Sequence, residues 1–120
     1  MSAVEHPYSP AVRAGETVYV SGALSVDPSG VAVPGRRAAL DAAVARMTER
    51  LAGAGGELAD IVKTTYFVTD ISLRDGANAQ FLDLFAEPGR CAPSSGWRRR
   101  RTYGATVEID VIARIRRSES

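Results

Sequence analysis

The chain reads TVEIDVIA at residues 106–113, and this run of β-branched residues predicts a strand. Side chains on a strand alternate between its two faces. Every second residue from Val107 would therefore face a core, whereas Glu108, Asp110 and Ile112 would share the opposite face. Two acids in line with an isoleucine make that second face neither plainly solvated nor plainly buried.

Two interpretations of this acidic face are open. An exposed edge strand with ordinary solvated carboxylates is the common case, because acids are seldom buried. The alternative is a face that meets another subunit or lines a cleft, where a carboxylate can take part in chemistry.

Composition limits the class of protein. The chain has 120 residues, 45% of them apolar, which predicts one globular domain over residues 1–120. A net charge of +1 gives no general attraction to nucleic acid or membrane. The single cysteine, Cys91, excludes an internal disulfide and gives no support for a cysteine–zinc cluster. No apolar run approaches the roughly 20 residues of a membrane span, and the start lacks signal-peptide features, so we expect a cytoplasmic protein.

Four further strands, one of them the second strand of a hairpin, and two helices are predicted upstream. Residues 16–22 and 61–68 read as strands, residues 91–101 form a weaker strand region, and Asp27–Gly30 is a turn signal that predicts a hairpin. The first helix follows Pro34-Gly35 and ends at the glycines of residues 53–56. The apolar stripe of this helix comprises Leu40, Val44, Met47 and Leu51. A second helix, capped by Asp70 or Ser72, has an apolar stripe of Ala77, Phe81, Leu84 and Phe85.

The predicted order is β-β-α-β-α-β-β, an α+β fold with two helices on one face of a mixed sheet. The other sheet face, carrying Glu108, would be left open. Symmetric oligomerisation is the economical way to cover it.

Taken together, the motifs of this chain resemble those of the Rid family, also called the YjgF or L-PSP endoribonuclease family. The resemblance covers almost the whole chain, and the order and spacing of its motifs make it specific. The motifs are Pro7-Tyr8-Ser9-Pro10-Ala11, Val20-Ser21-Gly22, Asp60-Ile61-Val62-Lys63-Thr64-Thr65, Asn78, Glu87-Pro88-Gly89-Arg90 and the segment 107–113.

The resemblance implies a chorismate-mutase-like fold and a homotrimer whose open sheet faces form an inner barrel. A cleft at each subunit interface would bind a small molecule. Typical members hydrolyse imines and enamines such as 2-aminoacrylate to a keto acid and ammonia, and they use no cofactor or metal.

Three residues match the family's catalytic positions. Glu108 matches the glutamate that positions the attacking water, Ser21 matches a serine that touches the ligand, and Tyr8 matches the tyrosine at the cleft. Water attack on a C=N bond needs an acceptor for the water and a proton for the departing nitrogen, which a carboxyl group supplies. Ser21 as a plain strand end and Tyr8 as a packing aromatic are the structural alternatives.

The carboxylate-binding arginine of deaminating members has no counterpart in the ungapped match. Pro93 stands in its place, and proline carries neither charge nor donor. A gapped match would give the role to Arg90, because Pro88-Gly89-Arg90 also has the Pro-x-Arg form. We expect a substrate other than a simple amino-acid-derived imine, such as a specialised biosynthetic intermediate.

The segment after Pro93 leaves several roles open. One of Arg98 to Arg101 is a candidate replacement anchor, the alternative being a solvated basic segment. Cys91 is either a small packing residue or, with His6, a nucleophile. Trp97 either walls the cleft or packs, and Asn78 is a candidate ligand contact through the family match.

Three function classes follow. The first is an imine or enamine hydrolase that uses Glu108, Ser21 and Tyr8. The second is a trimer that binds a small molecule without catalysis. The third is RNA binding or cleavage through the arginine run, which a four-residue run in a chain of net charge +1 supports only thinly.

Overall fold

The structure, a computed structural model, describes residues 11–85, the backbone of strand 94–99, and residues 105–115. Within these ranges the elements follow the predicted order β-β-α-β-α-β-β. They are β1 (Ala11–Ala14), β2 (Thr17–Leu24), α1 (Arg36–Gly53), β3 (Ile61–Val68), α2 (Arg74–Phe85), β4 (Ser94–Arg99) and β5 (Val107–Arg114).

The five strands form one mixed sheet in the order β1-β2-β5-β3-β4. β3 and β4 are parallel, and every other neighbouring pair is antiparallel. β5 is therefore a central strand with a partner on each side. The interpretation of the acidic strand as an exposed edge is wrong, because β2 and β3 flank it.

The first hairpin lies earlier than predicted. It joins β1 to β2 through Gly15, whose φ of 62° lies in the left-handed region that glycine adopts without strain. The predicted hairpin at Asp27 is only a tight loop closed by an isolated bridge between Val26 and Ala32. Pro34 follows at once and cannot donate to a ladder, so no second strand develops there.

Both helices form where their apolar stripes predict them. α1 ends at Gly53, and the N–H groups of Gly55 and Gly56 bond back to the carbonyls of Ala52 and Leu51. Asp70 caps a short 3-10 turn that leads directly into α2 by accepting from the N–H of Ser72, so of the two predicted caps Asp70 is correct. The buried helical residues are Ala39, Leu40, Ala43, Met47, Leu51, Ala77, Gln80, Phe81 and Phe85, with Val44 and Leu84 partly buried beside them.

The helices pack on one face of the sheet and the core lies between the layers. α1 contacts β2 and β5, and α2 contacts α1. A buried polar link joins the layers: Tyr66 on β3 donates to Gln80 Oε1 at 3.0 Å, and Gln80 Nε2 donates to Asp41 on α1 at 3.1 Å. Among the described residues, no element covers the opposite sheet face. The described helices are also too short or too polar to cross a membrane.

Candidate functional site

Glu108 lies on the open face of the central strand, as the alternation predicts. Its neighbours Val107 and Ile109 point into the core and are fully buried. Yet Glu108 is itself only 5% exposed within a single chain. The register places it between Leu24 of β2 and Phe67 of β3, which are both half-buried. This carboxyl group is therefore flanked by apolar strand neighbours rather than by water.

Asp110, two residues further along β5, is also not an ordinary solvated acid. It is half-buried, and its Oδ1 accepts a hydrogen bond of 2.8 Å from the backbone N–H of Gly22 on β2. The interpretation of Asp110 as a simply solvated carboxylate is therefore wrong. Asp110 lies on a central strand, and an irregularity in the neighbouring strand β2 places the N–H of Gly22 within hydrogen-bonding distance of its carboxylate.

That irregularity is a β-bulge in β2 formed by Ser21 and Gly22, hereafter the Ser21–Gly22 bulge. Val20 pairs with Val111 and Ala23 pairs with Ile109, so two residues of β2 face Asp110 alone. Gly22 has a φ of 74°, in the left-handed region.

The bulge carries Ser21 on the protein surface. Its side chain is exposed, and its carbonyl oxygen accepts a hydrogen bond of 3.2 Å from Arg50 Nη1 on α1. The prediction that Ser21 merely ends a strand is not what the structure shows, since β2 continues to Leu24.

A shallow cavity of about 240 Å³ opens on the sheet face beside the bulge. Glu108 is not among the residues that line it and lies beyond its Asp110 end, two positions along β5. The cavity combines one ammonium, one carboxylate and three hydroxyl groups. The side chains that line it include Tyr19, Ser21, Lys63, Thr65, Asp110 and Ile112.

The other predicted site residues fall elsewhere. Asn78 is exposed on α2, in the layer that covers the opposite face, so the structure does not bring it to Ser21 and Glu108. Trp97 belongs to β4, where its backbone pairs in register with Tyr66. Tyr8, Arg90, Cys91 and Pro93 lie outside the described residues, as do Arg100 and Arg101.

Several residues near Ser21 were not predicted as site residues from the sequence. Lys63 and Thr65 share the open face with Phe67, and their position was readable from the period-2 alternation of the strand 61–68. Arg50 had no such signal, because its contact with Ser21 spans 29 residues and depends on how α1 crosses β2. Across the described ranges, no three His, Cys, Asp or Glu side chains lie close enough together to hold a metal ion.

Comparison with known proteins identifies the family. The model of the family described as Endoribonuclease L-PSP matches residues 1–115. Human 2-iminobutanoate/2-iminopropanoate deaminase is 32% identical over 111 residues, which cover 89% of this chain and 79% of that protein.

Solved structures agree with this assignment. A Rid-family protein of unknown function from Yersinia pestis has a TM-score of 0.83 at 28% identity, covering 94% of this chain and 91% of that one. The YjgF protein of E. coli has a TM-score of 0.81 at 29% identity, covering 95% and 92%. The α+β, chorismate-mutase-like fold is thereby confirmed, and the chain belongs to the Rid family.

Proposed function

We propose that this protein hydrolyses a reactive imine or enamine to a carbonyl compound and ammonia. The observation that carries the proposal is Glu108, a buried carboxyl group on the otherwise open sheet face, held between Leu24 and Phe67. The curated relatives support it, since the human and bovine proteins, at 32% and 35% identity, are named 2-iminobutanoate/2-iminopropanoate deaminase.

The reaction requires a group that removes a proton from water and delivers a proton to the nitrogen of the C=N bond. Glu108 accepts a hydrogen bond from a water molecule and removes its proton as the oxygen bonds to the imine carbon. With a protonated imine, this addition gives a neutral carbinolamine. Its nitrogen then receives the proton from Glu108 and leaves as ammonia, while the carbinolamine hydroxyl gives its own proton to the Glu108 carboxylate and the carbon becomes a carbonyl. Burial strengthens the interaction of the carboxylate with the water, because it removes competing solvent.

Ser21 and Tyr8 shape the substrate position in this proposal. Ser21 is exposed on the same sheet face as Glu108, and the Ser21–Gly22 bulge sets its place. Tyr8 enters through the family match alone.

The substrate differs from that of the deaminating relatives. Pro93 stands where the family match expects an arginine that grips the substrate carboxylate. We propose that the protein prefers imines that lack a free carboxylate or are bulkier than 2-aminoacrylate. A specialised biosynthetic intermediate has this chemistry.

The assembly in this proposal is a homotrimer with one cleft at each interface. Support comes from apolar surface on the open face, where Tyr19 is 47% exposed and lies beside Ile112. Light scattering after size exclusion should give three times the chain mass of 12.8 kDa. A monomer at micromolar concentration would contradict the intersubunit cleft.

A panel of enzymatically generated imines tests the function. A pyridoxal-phosphate lyase supplies 2-aminoacrylate, an amino-acid oxidase supplies larger imino acids, and an amine oxidase supplies imines without a carboxylate. We expect ammonia release to accelerate most for the carboxylate-free or bulky imines. No acceleration for any of them would contradict the enzyme, and brisk Glu108-dependent hydrolysis of 2-aminoacrylate would contradict the altered specificity.

The second candidate is a trimer that binds a small molecule without turnover. Pro93, at the position where the ungapped family match expects the arginine, is the feature that favours it. Calorimetry with stable carbonyl products separates the two candidates. Binding that persists with no hydrolysis of any imine would support the binding protein.

A further inference from the structure

The Ser21–Gly22 bulge determines which side chains of β2 reach the proposed site. In an unbroken strand, Ala23 would follow Tyr19 and Ser21 onto the open face. The extra residue reverses this alternation, so that Ala23 is fully buried in the core. Leu24 then pairs with Glu108, and the bulge thus sets the neighbour of one proposed catalytic residue while displaying Ser21.

Two side chains from opposite sides of the sheet hold this bulge. From the open face, Asp110 Oδ1 accepts from Gly22 N–H at 2.8 Å. From the helical layer, Arg50 Nη1 donates to the carbonyl oxygen of Ser21 at 3.2 Å. A bulge leaves backbone groups outside the ladder, and these two contacts supply partners for one donor and one acceptor within it.

The two contacts come from elements that are distant in sequence. Asp110 lies 88 residues after Gly22, and Arg50 lies 29 residues after Ser21. Both contacts join a charged side chain to a backbone group, but the Asp110 contact is shorter and half-buried, which makes it the stronger of the two. The Arg50 contact is exposed, and solvent competes with it.

We propose that Asp110 and Arg50 are positioning residues that clamp the Ser21–Gly22 bulge. By holding the bulge, they fix the position of the Ser21 side chain and of Leu24, which lies beside Glu108. This inference rests on the proposed function of the site. Neither residue touches the reacting atoms. Asp110 has the larger role, because its carboxylate is the hydrogen-bond acceptor for Gly22, whose left-handed conformation defines the bulge.

Amide hydrogen exchange tests the clamp without any substrate. Asp110→Ala removes the acceptor, whereas Asp110→Asn keeps a neutral acceptor oxygen and the shape of the side chain. We expect Gly22 N–H to exchange about tenfold to a hundredfold faster in Asp110→Ala, as the loss of a hydrogen bond to a charged group implies, with Asp110→Asn in between. Asp83→Ala, an exposed acid on α2, is the control and should leave Gly22 at the wild-type rate.

Steady-state kinetics on the best imine tests whether the clamp serves the site. Asp110→Ala should lower kcat about tenfold or more, because Ser21 and Leu24 shift relative to Glu108, and Asp110→Asn should recover part of it. Arg50→Met should lower kcat about twofold to tenfold, with partial recovery in Arg50→Lys. Arg37→Met, on the same helix and bonded to Asp41, is the matched control and should behave as wild type.

The outcomes separate this inference from the function beneath it. Faster Gly22 exchange together with lower kcat supports the clamp as a positioning device. Unchanged exchange in both Asp110 variants overturns it, and so does faster exchange with wild-type kcat and KM in an active enzyme. If the wild type hydrolyses no imine, the proposed function fails and the positioning role fails with it, even where Gly22 exchange still shows the clamp.

Discussion

Glu108 pairs in register with Phe67 across the ladder between β5 and β3, and it is 5% exposed in the isolated chain. A buried carboxyl group in the centre of a sheet, paired with an aromatic residue on one side and with Leu24 on the other, is a rare placement. Buried carboxyl groups at such positions are candidates for proton transfer, which is the basis of the function proposed above.

Pro93→Arg should change the substrate preference proposed above. Pro93→Arg would supply a charged, two-pronged donor where the family match expects one. We expect kcat/KM for 2-aminoacrylate to rise about tenfold to a hundredfold, the worth of a charge-assisted hydrogen bond of ~1.5–3 kcal/mol. Kinetics of Pro93→Gln, which adds length without charge, provides the control. Equal gains in the two variants would show that charge is not the missing element.

The buried link between the sheet and the helices should contribute to stability. Tyr66→Phe deletes the phenol that donates to Gln80 Oε1 and leaves that oxygen buried without its donor. We expect a loss of about 1–3 kcal/mol in the free energy of unfolding, measured by urea denaturation. Tyr19→Phe, at an exposed tyrosine of the open face, should cost far less. Equal losses would contradict the structural role of the link.

The same phenol should make the fold sensitive to alkali. Burial raises the pKa of Tyr66 above its ordinary value of 10.0, because the charged form loses its hydration. The unfolded chain therefore releases this proton first, so stability is intact below pH 10 and declines as the pH rises further. Unfolding curves from pH 8 to 11.5 should show a steeper decline for the wild type than for Tyr66→Phe. Parallel curves would contradict the assignment.

The loop after β2 should weaken in acid. The Asp27 carboxylate accepts from Val31 N–H and from the hydroxyl and N–H groups of Ser29, and these bonds, that from Val31 above all, lower the pKa of Asp27 below its ordinary 3.8. Because its pKa is lowered in the folded state, the ionised Asp27 carboxylate stabilises the fold above pH 3.8, and this stabilisation is lost as the pH falls further. Asp27→Asn should therefore be less stable than the wild type at pH 6 and equal to it near pH 2. Asp83→Asn serves as the control, and a difference that persists undiminished at pH 2 would refute the linkage.

Local patterns were sufficient for most of the fold. The strand 61–68 was predicted at its observed limits because β-branched residues and flanking breaks mark it without ambiguity. The helix stripes and the glycine stop after Leu51 were equally readable. The first hairpin was missed because its first strand, Ala11–Ala14, is too short to show a clear periodicity, whereas Asp27-Pro28-Ser29-Gly30 carries a strong turn signal that no strand pair follows.

The site was only partly readable, for reasons of geometry. Alternation placed Glu108 and Asp110 on one face, but only the register shows that Leu24 and Phe67 enclose the first acid. The contact between Asp110 and Gly22 depends on a bulge. A glycine within a strand pattern, as Gly22 is, can indicate a bulge, but a single sequence does not show which residue of the partner strand it faces.

The rate of imine hydrolysis by Glu108→Gln tests the central claim most directly. Glutamine keeps the size and the hydrogen-bonding reach of the side chain but cannot accept the proton of the attacking water. On the best imine of the panel, with Asp83→Asn as the control, we predict that kcat falls by about 10²–10⁴-fold while the protein remains folded. A folded Glu108→Gln protein with the wild-type kcat would contradict the account.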